Sequence, residues 1–155
     1  MSKFYDSTQD TEDHIKLVRK FMEKPIIKLM TRARVHDASK LKAPEKAAFD
    51  RATPMLKALK YGSEEYRACL RKIKPAIQHH YAHNSHHPEH FGLDGIAGMS
   101  LLDLLEMLCD WGAAQQRTDP PGTFEKSFEV NVKRFSIGLE LEKILRNTVR
   151  EMGWA

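Results

Sequence analysis

Gln78–His90 reads QHHYAHNSHHPEH and holds six of the chain's eight histidines: His79, His80, His83, His86, His87 and His90. Neutral imidazole is the commonest metal ligand in proteins, so this clustering points first to a metal site. The residues before it set the fold. Tyr66, Cys69, Leu70, Ile73 and Ile77 recur at helical spacing, and His80 continues their stripe. This predicts a helix that begins at Ser63-Glu64-Glu65 and carries its buried face into the histidines. His79 is turned about 100° from His80 and stands to His83 as i to i+4. Pro75 removes one backbone donor and predicts a bend. The stretch 84–98, with its Pro, Gly, Asn and Asp residues, reads as a loop carrying His86-His87-Pro88-Glu89-His90. A connection of that length is unusual and often functional.

Moving toward the C-terminus, Met99 to about Arg117 reads as a helix with Leu101, Leu104, Leu105 and Leu108 as its core. Asp103, Glu106 and Asp110 fall at i, i+3 and i+7, on one face. Such a row is ordinarily a solvated acidic face. Trp111, Cys109 and the small residues Gly112, Ala113 and Ala114 instead suggest a close-packed neighbourhood around Asp110, and a buried carboxylate needs a partner or a metal. TDPPGT is a loop. Helices over 124–135 and 137–152 then carry packing residues such as Phe128, Val132, Phe135, Leu139, Leu141, Ile144 and Leu145. The segment 118–152 shows no chemistry.

Toward the N-terminus, Ser7 or Thr8 can cap a helix running to about Glu23, with Asp10, Glu12 and Asp13 where the helix dipole favours acids. His14 lies on the line of Val18 and Phe21, so it is expected to point inward. Pro25 starts or kinks a second helix ending in Val35-His36-Asp37-Ala38-Ser39-Lys40. Adjacent His and Asp on a helix splay by about 100°, so one ion can engage both only at the helix edge. Pro44-Glu45 opens a further helix, expected to break near Pro54 and resume to Leu59. The count is six or seven helices and no convincing strand.

The chain has 155 residues, 41% apolar and 30% charged, with a formal charge of +4. These values suit one globular all-α domain over 1–155. No apolar run approaches the ~20 residues that span a bilayer, and the polar start MSKFYDSTQDTED is unlike a secretory signal. The two cysteines, Cys69 and Cys109, are expected to be buried and reduced, in a cytoplasmic protein. The mild positive charge admits an anionic ligand. Lysines and arginines are dispersed, with no aromatic ladder, which argues against nucleic acid and for a small molecule.

The order of these elements is His14, then His36-Asp37, then His79-His80, then Asp110. It resembles the H…HD…D pattern of the HD-domain superfamily of metal-dependent phosphohydrolases, an all-helical fold. HDASK at His36–Lys40 is similar to the HDxGK of the HD-GYP phosphodiesterases, with Ser39 in place of Gly; there is no GYP triplet, and HHPEH has no counterpart there. Nearly the whole chain, through VHDASK, YGSEEY, IKPAIQHHYAHNSHHPEH and MSLLDLLEMLCDW, also looks like a small His-rich family found in phage and bacterial genomes, which would place it in a bacterial or phage-infected cytoplasm.

The superfamily resemblance implies hydrolysis of a nucleotide or related phosphate ester by a metal-activated water. The residues admit one divalent ion held by His14, His36, Asp37 and Asp110. A second ion would be bound by His80 and one of His79, His83, His86 or His87, with Asp37 bridging. Mn, Fe, Co, Ni and Zn all tolerate such mixed ligation. Lys40 is the candidate for phosphate or developing charge, with Arg32, Arg34, Lys42, His90 and Arg117 as further substrate contacts. Glu106 is a candidate to orient a ligand or act on a proton. The alternatives are a di-iron oxygenase of HD type and a protein that binds metal without catalysis. A homodimer through the C-terminal helices is a further expectation.

Overall fold

The computed structural model describes residues 4–60, 62–116 and 123–154. The protein is all-α, with seven α-helices and no strand among the described residues. They run α1 (Thr8–Val35), α2 (Glu45–Lys57), α3 (Glu64–Lys72), α4 (Lys74–His83), α5 (Leu101–Gln116), α6 (Phe124–Arg134) and α7 (Leu139–Glu151). Short 3-10 turns occupy Ala38–Leu41, Pro88–Phe91 and Gly95–Gly98. The chain, read from sequence as one domain, divides into two units, residues 1–35 and 36–155.

The first unit is α1. The expected break at Pro25 does not occur, and the helix runs through it to Val35. Pro25 therefore withdraws one amide donor from an otherwise continuous ladder. No residue of α1 is buried; Val18 and Phe21, expected as core, are 42% and 79% exposed, and His14 is exposed with them. Periodicity marks a helix's apolar face, but it does not supply a surface to cover it.

The second unit holds two apolar clusters. In the larger, Leu104, Met107, Leu108 and Trp111 of α5 meet Phe124 and Phe128 of α6 and Leu145 and Val149 of α7. Trp111 stacks parallel to Phe135 and stands edge-on to Phe128, each with centroids 6.2 Å apart. The smaller gathers Ala52, Cys69 and Ile73, with Phe49, Leu56, Leu70 and Ile77 packed on it. Each large side chain buried this way contributes ~1.5–3 kcal/mol.

Prolines here act by position. Pro54 lies inside an unbroken α2, against the expected interruption, whereas Pro75 does more than bend its helix. It sits in the first turn of α4, and Ile73 both ends α3 and begins α4. Pro75 cannot donate to the carbonyl four residues back, so the ladder is re-started and not continued. Ser63 caps α3 as expected, accepting from the Tyr66 amide at 3.1 Å.

The 84–98 connection is ordered by its own contacts. Ser85 Oγ donates to Asp103 Oδ1 (2.6 Å), and Asp103 Oδ2 accepts from the amide and hydroxyl of Ser100 at 2.8 and 2.6 Å. Buried Asp103 is thus a cap that ties the loop to the start of α5. At Gly98 an added Cβ would lie 2.8 Å from the Phe91 ring, so only glycine lets the loop close there. Cys69 is buried and reduced as expected, but Cys109, also reduced, is exposed. Ala113 and Ala114 are exposed too, so α5 is close-packed only on its Trp111 side.

Among the described residues no helix is long and apolar enough to cross a membrane.

Candidate metal centre

Three elements of the second unit, α4, the 84–98 loop and α5, converge on Asp37. It stands two residues past the end of α1 and adopts a left-handed backbone, φ 56° and ψ 10°. Asp tolerates that region better than most residues, and non-glycine residues held there concentrate at functional sites. The turn points the carboxylate back toward α4, the 84–98 loop and α5.

Asp37 Oδ1 lies 3.1 Å from His80 Nε2 and 3.5 Å from His86 Nε2. His87 Nε2 lies 2.9 Å from His80 Nε2. These four residues can offer ligand atoms all within 4.8 Å of one another. Two further clusters share members with the first: His36, Asp37 and Asp110, and His36, His86 and Glu106. His36 Nε2 stands 3.8 Å from Asp37 Oδ2 and 3.7 Å from Asp110 Oδ1. Asp37 thus belongs to two clusters, as a bridging carboxylate would.

Two buried atoms at this point, Asp37 Oδ1 and His86 Nε2, have no hydrogen-bond partner. The nearby His80 Nε2 is close enough to Asp37 Oδ1 but not in hydrogen-bond geometry. His86 is 2% exposed. Burying a polar atom unpaired costs ~1–3 kcal/mol, and two such atoms facing each other call for a shared partner. A cation accepting both lone pairs fits; the donor set, imidazole with carboxylate, is one that Mn, Fe, Co, Ni and Zn accept.

The electrostatics favour a cation. Burial pushes the Asp37 carboxyl up, but the adjacent His80 ring and the Lys40 ammonium, which bonds its Oδ2, outweigh it and hold it far below the usual carboxylate range. Burial likewise works against Asp110, and the His36 hydrogen bond overcomes it, leaving Asp110 ionised. His36 is pushed up to about 10 by the Asp110 and Glu106 carboxylates, against its burial, so with no ion bound it is an imidazolium that supplies positive charge between them, and an ion bound by His36 would take the place of that proton. His87 is pushed down to about 3 by burial and by neighbouring His86 and His80, which keeps it neutral, the form that can ligate a metal.

Around these groups stand carboxylates that engage imidazoles from behind. Glu106 Oε1 lies 2.8 Å from His36 Nδ1 and 3.2 Å from His86 Nδ1. Glu45, fully buried, lies 2.7 Å from His79 Nδ1 through Oε1 and 3.0 Å from His80 Nδ1 through Oε2. Ser39 Oγ donates to Glu45 Oε2 at 3.0 Å, which gives the serine of HDASK a definite use.

The sequence-predicted residues therefore separate. His36, Asp37, His80, His86, His87, Glu106 and Asp110 come together. His79 meets Glu45, and His83 stacks on His79 with its Nδ1 bonded to the His79 carbonyl; neither enters a cluster. His90 is exposed and donates to the Tyr81 carbonyl. Lys40 Nζ bonds Asp37 Oδ2 at 2.6 Å and lies over the Phe49 ring. Lys42 is exposed. His14, Arg32 and Arg34 belong to α1, and His14 is in none of the clusters. Arg117 lies outside the described residues. Sequence reasoning missed Glu45, Ser39 and Asn84 as parts of the site. Asn84, one turn after His80, had a usable signal; Glu45, distant in sequence, had none.

A family model described as "Family of unknown function (DUF5662)" matches residues 3–152. The chain belongs to that family. No curated protein and no solved structure matches it. The clusters lie within the span that defines the family, so chemistry inferred from them is a hypothesis about its members too.

Proposed function

We propose that this DUF5662 protein is a metal-dependent phosphohydrolase acting on a nucleotide or related small phosphate ester. One observation carries the reading: Asp37 Oδ1 and the Nε2 atoms of His80, His86 and His87 converge, and two of these atoms, both buried, lack partners. Those four residues would hold one ion, and His36 and Asp110 with Asp37 a second. The HD…D part of the sequence order, His36-Asp37 and Asp110, which share one cluster, supports an HD-type site.

A bound divalent ion would lower the pKa of a water and polarise a phosphoryl oxygen. The protein's own groups supply the rest. Glu106 keeps His36 and His86 oriented, a positioning duty that engages its Oε1. Lys40, about one third exposed, holds a positive charge at the edge of the site, where an anionic substrate would meet it. Phe49 stands edge-on to the ring of buried His80, with centroids 6.1 Å apart.

The test is elemental analysis of purified protein, then phosphate release from a nucleotide panel with the metal found. One or two equivalents of a transition metal with turnover is the expected result. Failure to take up any metal after reconstitution overturns the reading. A second reading rests on a specific count: three histidines and one aspartate make four ligands, the number of a closed structural zinc site. In that case zinc is bound but chelation unfolds the protein and no ester is hydrolysed.

A further inference from the structure

Among the described residues Glu45 is the only acid buried to 0% exposure, and an ionised carboxylate there can only accept hydrogen bonds. It has three neighbours to accept from: His79 Nδ1 on Oε1, and His80 Nδ1 and Ser39 Oγ on Oε2. All three of these contacts are to groups that can donate, the surroundings of a carboxylate; burial works against the charged form, and the hydrogen bonds from His79 and Ser39 outweigh it.

The tautomer of His80 follows from counting protons. Its Nδ1 is near three groups: Glu45 Oε2 at 3.0 Å, Ser39 Oγ at 3.1 Å and Asn84 Nδ2 at 3.1 Å. If Nδ1 were bare, Asn84 could donate to it, but a carboxylate oxygen would then face a lone pair at van der Waals distance or less. If Nδ1 carries the proton, it donates to Glu45. Asn84 then spends its two amide protons on Ser39 Oγ (2.9 Å) and the His80 carbonyl (2.7 Å), and the Ser39 proton goes to Glu45. This arrangement satisfies Glu45, Ser39 and Asn84 together. It leaves His80 Nε2 as a lone pair beside Asp37 Oδ1, in keeping with the absence of a hydrogen-bond partner at that oxygen although Nε2 is 3.1 Å away, and His87 Nε2 at 2.9 Å can donate to it.

We propose that Glu45 is a positioning residue that fixes His80, and with it His79, as the Nδ1–H tautomer, so that the ring presents a bare Nε2 to the cation. The inference rests on the metal-binding reading for its purpose but not for its geometry. Glu45 bonds to the far side of the imidazole and touches none of the converging atoms. Carboxylates so placed orient a metal-ligating ring and raise its basicity, and their loss typically costs ~10–100-fold in metal affinity.

The experiment records long-range proton–nitrogen correlations of the imidazoles in metal-free protein near pH 8, with His80→Ala identifying the His80 signals. The wild type is expected to show His80 as Nδ1–H. In Glu45→Gln, one histidine must face an amide N–H, so the His80 or His79 signal shifts toward the Nε2–H form. Zinc affinity measured by chelator competition falls ~10–100-fold, and Glu45→Asp recovers part of it. His80 as Nε2–H in the wild type overturns the assignment with no variant needed. Unchanged tautomers and unchanged zinc affinity in folded Glu45→Gln overturn it as well. A wild type that binds no metal yet shows Nδ1–H at His80 defeats the metal reading and leaves the Glu45 geometry standing.

Discussion

Phe128 is 1% exposed and His86 is 2% exposed, yet the two are buried for different reasons. Phe128 meets Trp111, Phe124 and the Arg146 guanidinium, and every contact it makes lowers the free energy of folding. His86 sits among His36, His87, Asp37 and Glu106, with one ring nitrogen unpaired. Its burial costs stability in the absence of a ligand. The comparison separates the second unit into a scaffold that holds itself together and a polar centre that the scaffold holds in place. Helix α5 serves both: Leu104, Met107, Leu108 and Trp111 face the scaffold, and Glu106 and Asp110 face the centre.

The sharpest way to break this comparison is Asp37→Gly. Glycine tolerates the left-handed backbone at φ 56°, so the carboxylate is removed without adding strain. Metal content is expected to fall to none and hydrolysis to drop by more than ~100-fold, while thermal melting shows the protein still folded. Retained metal in this variant would show that the polar centre is not built around Asp37.

Phe128→Ala is the reciprocal change. It should cost ~3–5 kcal/mol of stability in urea unfolding, with metal stoichiometry per folded molecule unaltered. A loss of metal at conditions where the variant is still folded would mean that scaffold and centre are not separable.

Asp103→Ala lies where the two regions join. It removes the acceptor for Ser100 and for Ser85, the residue before His86. Stability should fall by ~1–2 kcal/mol, and metal affinity should weaken a few-fold because the histidine loop is untied from α5. An effect on stability alone would make Asp103 a helix cap with no bearing on the site.

His83→Ala should have the smallest effect. His83 is exposed, bonded only to a backbone carbonyl and stacked on His79. Metal content should be unchanged and stability within ~0.5 kcal/mol of wild type, as for surface substitutions generally. A loss of metal would place a second ligand set on the outer face of α4.

Much of this was legible in the residues alone. The all-α class follows from period and composition. The burial of His80 was expected from the stripe of Cys69, Ile73 and Ile77, although the helix end at Ile73 divides that stripe between α3 and α4. Of the set His14, His36, Asp37 and Asp110 that the order of motifs put together, the last three share a cluster and His14 does not. The failures were of another kind. The interior prolines Pro25 and Pro54 do not end their helices, whereas Pro75 does, and propensity alone does not rank these outcomes.

What the sequence by itself determined, then, is which residue types are available and which share a helix face: six histidines in one stretch, and the carboxylates Glu106 and Asp110 one helical turn apart. Only the tertiary structure decided how they are used. His79 and His83 were equal to His86 and His87 as candidates until the 84–98 loop folded the latter two onto Asp37 and left the former two outside. Glu45 became part of the site because α2 packs beside α4, across a separation in sequence that carries no periodic signal. A helix specifies its neighbours three and four residues away. Ligand geometry at a metal centre depends on distances between separate elements, and packing alone sets those.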